Sequence, residues 1–137
     1  MDIDPRGPRF GAVISTIVLA VVLVTGSGWL LAAQTVVFAV GALAGLRYAP
    51  YGVVYRHLIR PRLGPPARME AEAPPRFAQG VGLVTAAVGT IGYLAGVTAL
   101  GVVFAALTLA AAFLNAAFGY CLGCQIFLFI QRIRPAA

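Results

Sequence analysis

The chain has 137 residues, enough for one domain and too few for a multidomain enzyme. Hydrophobic residues make up 61% of it and charged residues only 10%, with a mean hydropathy of +0.92. A soluble globule of this size has no such shortage of polar surface, and the net charge of +6 has no polar fold to carry it to a nucleic acid. The sequence therefore predicts a single all-α integral membrane domain, with no nucleic-acid partner and the lipid bilayer as its first one.

In chain order, apolar stretches cover residues 10–25, 29–46, 77–96 and 100–120. The last of them continues without a charged residue to Ile130. About 20 residues at 1.5 Å each cross a ~30 Å hydrocarbon core, so each stretch is predicted to be a transmembrane helix. Arg6 and Arg9 precede an apolar run, as in a signal peptide. No small-residue cleavage site follows Val24, and a second span begins almost at once.

All ten basic residues are Arg. They lie before the first span, between the second and third, and after the fourth, while the Gly26–Gly28 and Val97–Ala99 connections carry none. Four spans with both termini and the 47–76 loop inside put every arginine on the cytoplasmic side of a bacterial plasma membrane. The short outer connections make two hairpins of the four helices. Pro8-Arg9-Phe10 and Pro75-Arg76-Phe77 open the two outgoing helices alike. They read either as the trace of a repeated hairpin or as two independent uses of residues that suit a helix start at the interface.

Within the loop, Tyr51, Val54, Tyr55, Leu58 and Ile59 fall on one helical face, with Arg56, His57 and Arg60 opposed. This pattern predicts an interfacial helix over 51–60, with Arg56, His57, Arg60 and Arg62 available to lipid headgroups or a docking partner. The prolines that follow predict an extended tether as far as Pro75. His57 is the only histidine, so no metal site is expected, nor any cofactor. Gly41-x-x-x-Gly45, Gly92-x-x-x-Gly96 and Gly119-x-x-x-Gly123 predict close helix packing within the bundle or between protomers. Gln34, Gln79, Asn115 and Gln125 are expected to face the interior or the interface. The spans carry no acid or base, which argues against an ion-coupled pump.

The two cysteines, Cys121 and Cys124, form a CxxC. Random placement gives that spacing in about one case in seventy. The pair permits redox exchange, a disulfide or half of a metal site, or simply two small packing residues. The fourth apolar stretch is too long for one straight crossing, which leaves 121–137 as a short C-terminal segment. The cysteines then reach the cytoplasmic boundary around residue 120. A break at Gly119 would put Cys121 at the N-terminus of a final helix, where the helix dipole favours a thiolate. On an unbroken helix Asn115 would point away from both thiols.

Residues Asp4–Phe10, Leu46–Gly52, Arg60–Pro66, Pro74–Gln79 and Ala111–Cys124 resemble a family of small actinobacterial integral membrane proteins, catalogued as domain of unknown function 4395. The last stretch is the most specific. In that family an acid commonly follows the second cysteine, where Gln125 stands here. The resemblance implies four helices and, by association with thioredoxin-like and rhodanese-type sulfurtransferase proteins, sulfur or thiol metabolism. Two functional expectations stand. One is a membrane thiol/disulfide or persulfide relay, with Cys121 attacking and Cys124 resolving. The other is a non-catalytic adaptor, a homo-oligomer or a subunit of a larger membrane complex, with cysteines that only pack.

Overall fold

The computed structural model describes residues 2–66 and 68–134. They form six helices and one minimal β pair. Helix α1 is Arg6–Thr25 and α2 is Gly28–Ala44, the last turn of which, Val40–Ala44, is π-helical. Helix α3 covers 50–63, α4 is Ala73–Leu94, α5 is Thr98–Phe118 and α6 is Leu122–Ile133. Strand β1 (Asp2–Ile3) pairs antiparallel with β2 (Glu70–Ala71), with Asp2 opposite Ala71.

Helices α1, α4 and α5 are each long and apolar enough to cross a membrane, and α2 is a shorter apolar helix. Ile17, Val24, Trp29, Val36, Val84 and Ile91 point outward, an apolar surface of the kind lipid covers. The interior is built from Leu19, Val22, Leu31, Phe38, Ala86 and Ala105. Interhelical hydroxyl and amide contacts add to it: Gln34 Nε2 donates to Ser15 Oγ at 3.0 Å, and Thr108 Oγ1 donates to Thr85 Oγ1 at 2.7 Å. Such groups have no partner in hydrocarbon, so they pair across helices.

Local chemistry sets the helix ends. The amide of Gly26, in the left-handed region at φ 68°, caps α1 by donating to Val22 O. Ser27 then opens α2, its Oγ accepting from Leu30 N at 3.1 Å. The helices start earlier than the apolar runs. Helix α1 begins at Arg6 and α4 at Ala73, because prolines near the N-termini are already set for helix and their missing N–H groups cost nothing there.

The two halves of the chain repeat one another's contacts. Helix α1 packs chiefly on α5 and α2 chiefly on α4. Arg9 of α1 donates to the carbonyls of Ala116 and Ala117 at the end of α5 (3.4 and 3.5 Å). Arg76 of α4 donates to Ala42 O and Leu43 O at the end of α2 (2.8 and 3.0 Å). The neighbouring Phe10 and Phe77 lie against Tyr55 of α3 and Phe127 of α6, with ring centroids 5.8 and 5.5 Å apart. The Pro-Arg-Phe tripeptides thus hold equivalent places, and the repeat extends to the third helix of each half. It is imperfect, since α4 and α5 pack closely whereas α1 and α2 touch sparingly.

Three expectations are corrected. The stretch after Arg60 is not a tether from its start. Helix α3 runs on to Leu63 and includes a π-helical turn, Tyr55–Ile59. The wider turn just before Pro61 accommodates a residue whose ring would collide with the carbonyl four back in a regular helix. The π turn also shifts the register, so Arg60 does not oppose the apolar stripe. It reaches the same carboxylate as Tyr55, while Leu58 is exposed. Lastly, Gly96 is not a packing position: it is exposed, has positive φ (83°) at a helix end and has nothing within 4 Å of a built Cβ, whereas Gly45, also at positive φ (117°), is buried beside Glu72 and Arg76. Gly41 and Gly92 do pack, Gly41 against Gln79 and Gly92 against the backbone of Gly101.

Candidate functional site

The fourth apolar stretch breaks where its length and its glycines meet. Gly119, at φ 68°, caps α5 by donating to Asn115 O, and two residues later a new helix starts. Cys121 is the N-cap of α6, and its Sγ accepts from Cys124 N at 3.2 Å. The two sulfurs are bonded to each other (2.10 Å), with Cα atoms 5.1 Å apart. Both residues are half-buried. Gly123, one of the intervening residues, is buried against Ala78 of α4 and so anchors the new helix beside the bundle.

The pair forms part of the wall of a cavity of about 530 Å³ between α1, α4, α5 and α6. Arg9, Gln79, Thr108 and Asn115 share that wall. Asn115 and the cysteines, which an unbroken helix would have separated, are brought together by the Gly119 turn. Arg9 lies at the same turn: a Cβ on Gly119 would sit 3.7 Å from its Nη1. Cys121 thus begins α6 directly after a turn that Arg9 flanks.

A second cavity, of about 360 Å³, lies between α1, α2 and α3. Arg47, Arg56 and Arg60 reach it, with Asp4, Tyr51 and Tyr55. Asp4 is the hub of this end. Its carboxylate accepts from Arg6 N at 3.0 Å, Arg6 Nε at 3.1 Å, Arg6 Nη2 at 3.1 Å and Tyr55 Oη at 3.1 Å, and Arg60 Nε lies 3.7 Å away. Burial alone would push the carboxyl up. The bonds from Arg6 and Tyr55, with the Arg6 charge, outweigh it and hold Asp4 below its ordinary value. The same burial and the bond to Asp4 push the Tyr55 phenol up. Tyr51 Oη donates to Gln34 Oε1 at 2.7 Å, which extends the polar chain to Ser15.

The other expected site residues are less engaged. His57 is exposed, and Arg62 and Gln125 lie at the surface. No cluster of metal-ligating side chains occurs among the described residues. Sequence reasoning missed Asp4 as the hub of the second cavity, and missed that Arg9, Gln79 and Asn115 share a cavity wall with the cysteines. The Pro-Arg-Phe repeat marked Arg9, and Gln79 and Asn115 were expected to face the interior or the interface; nothing local marked Asp4. The final helix was read only as the consequence of a break at Gly119, although Ile126, Phe129, Ile130 and Ile133 show the i, i+3, i+4, i+7 spacing by themselves.

The fold and site therefore define an all-helical protein with three helices fit to cross a membrane and a disulfide-bonded CxxC where a further helix begins. The chain belongs to the family described as Domain of unknown function (DUF4395), which matches residues 3–132. No curated protein and no solved structure shows significant similarity to it.

Proposed function

We propose that the chain is a four-span membrane protein with both termini and the 47–76 loop in the cytoplasm, and that Cys121 and Cys124 form a thiol/disulfide relay at the inner boundary. Helix α2 serves as the fourth span. At 17 residues it covers about 26 Å, and the outward Trp29 and the Leu46–Tyr48 turn extend it to the two interfaces. Helix α3 lies at the inner interface with its arginines near the headgroups. The observation that carries the redox reading is the bonded cysteine pair at the N-terminus of α6, in a cavity wall. A disulfide that only braced the structure would be out of place beside a reducing cytoplasm.

In the reduced form, the Cys121 thiolate attacks a sulfur of a disulfide on a thioredoxin-like partner, and the partner's leaving sulfur departs as thiolate. The Cys124 thiolate then attacks Cys121 Sγ in the mixed disulfide and releases the partner's second thiolate. Two electrons pass to the partner, and Cys121–Cys124 is left oxidised. A second dithiol protein resets the pair by the reverse exchange. The sulfur branch uses the same atoms. A rhodanese-type persulfide gives its outer sulfur to Cys121 and leaves as a thiol, and Cys124 then expels that sulfur as hydrogen sulfide and closes the disulfide.

The test is differential alkylation of both cysteines in native membranes, with serine variants. Cys124→Ser should trap a mixed disulfide or persulfide on Cys121, identified by mass, and Cys121→Ser should trap neither. Thiols that neither alkylate nor change redox state would refute the relay and favour the adaptor.

A further inference from the structure

The cavity between α1, α2 and α3 is unused by the cysteine chemistry, and its charge is unbalanced. Three arginines (Arg47, Arg56 and Arg60) reach it against one acid, Asp4. Asp4 is already committed: five hydrogen bonds from Arg6 and Tyr55 occupy its oxygens, and Arg60 stands off at 3.7 Å. Among the described side chains neither Arg47 nor Arg56 has a carboxylate within ion-pair distance. Both are nonetheless held in place. Arg56 Nη2 donates to the carbonyl of Arg47, and the Arg47 guanidinium stands 5.3 Å from the centre of the Tyr48 ring.

The rest of the cavity has a different character. From its arginine end it follows α1 past Gly7 and Gly11 to Ser15, about 12 Å along the helix axis, and reaches Val37 of α2. The two glycines leave the α1 side low, with Tyr51 and Tyr55 packed over them. The space is thus basic at one end and uncharged along the rest, where Ile3, Pro8, Val37, Leu46 and Met69 supply apolar wall and Ser15, Tyr51 and Gln79 supply polar groups. Its volume of about 360 Å³ is in the range of small-ligand sites.

We infer that this cavity binds the phosphoryl headgroup of an anionic amphiphile, with Arg47 and Arg56 as the anion contacts and the α1–α2 groove taking the adjoining apolar part. Guanidinium groups suit phosphate because their fixed forks donate two parallel hydrogen bonds. A lipid and a free phosphate share this chemistry. The uncharged remainder of the cavity, with apolar wall from Ile3, Pro8, Val37, Leu46 and Met69, favours the lipid, since inorganic phosphate would leave it empty. The inference is independent of the cysteine relay.

The full chain, purified in a zwitterionic detergent, can be titrated with phosphatidylglycerol, phosphatidylcholine or inorganic phosphate, and bound species counted by native mass spectrometry. Phosphatidylglycerol should be retained at least tenfold more tightly than phosphatidylcholine. Arg47→Gln with Arg56→Gln should abolish that preference, whereas Arg132→Gln with Arg134→Gln should keep it. Arg47→Gln alone, which leaves the Arg56 bond to its carbonyl, should still weaken retention if the double variant fails to fold. Phosphate that competes fully at equal concentration would identify a free phosphoryl ligand as the source; no competition would identify the lipid. Equal retention of the two lipids by the native chain, or an unchanged preference in the arginine variants, would overturn the inference.

Discussion

Gly123→Ala is the smallest change that tests how the cysteine pair is held. A Cβ built on Gly123 lies 2.6 Å from both the Cα and the Cβ of Ala78, whereas apolar carbon contacts settle at about 3.5–4.0 Å. Neither atom belongs to a flexible side chain, so relief requires α6 to move about 1 Å away from α4, pivoting on the Gly119 turn. Overpacking of this kind costs typically 1–3 kcal/mol, and the same movement weakens the Phe77–Phe127 contact, worth about 0.5–1.5 kcal/mol. A net loss of about 2 kcal/mol is expected in a detergent unfolding titration. After reduction, Cys121 and Cys124 should alkylate several-fold faster than in the native chain. Ala78→Gly should rescue only part of the loss, because the clash with the Ala78 Cα remains. Native stability and native alkylation rates in Gly123→Ala would refute the docking of α6 on α4 through this contact.

Two further outcomes are expected. Because Asp4 has a lowered pKa when folded, its contribution is complete above the unfolded carboxyl value near 3.8 and is lost as pH falls through the lower folded value. Protease cleavage at the N-terminus should therefore stay slow at neutral pH and rise only in that acid window, while Asp4→Asn should cleave fast throughout; a native chain insensitive to that window would contradict the role given to Asp4. In a cysteine-free background, a single cysteine at Ser27 should label only from outside the cell, and labelling from the cytoplasm alone would sink the four-span topology.

The helical class and three membrane-fit helices were legible because lipid imposes length and apolarity on any span, and both are local properties of the sequence. The break at Gly119 was legible as a possibility from chain length and the glycine pair, and the structure places Cys121 at the start of the new helix accordingly. What stayed hidden depends on distant residues. Asp4 meets Tyr55 across 51 positions, and Asn115 shares a cavity wall with the cysteines only because the helix is broken between them. The course of α3 was misread for a different reason. Its face was assigned on a 3.6-residue period, but the turn Tyr55–Ile59 is wider, so Arg60 came round to the inner side. Gly96 was misread because spacing alone does not distinguish a packing glycine from one required by positive φ.

The reciprocal use of Arg9 and Arg76 has a consequence for how the chain is assembled. The last carbonyls of a helix have no partners within it, and close to lipid they have little water to turn to. Here the first half closes a helix of the second half, and the second closes one of the first. Neither hairpin is finished by itself, so during synthesis the first must wait, its α2 carbonyls unmet, until Arg76 has been made and brought alongside. Once the two have met, each closes an open helix end of the other, alongside the α1–α5 and α2–α4 packing that joins the halves.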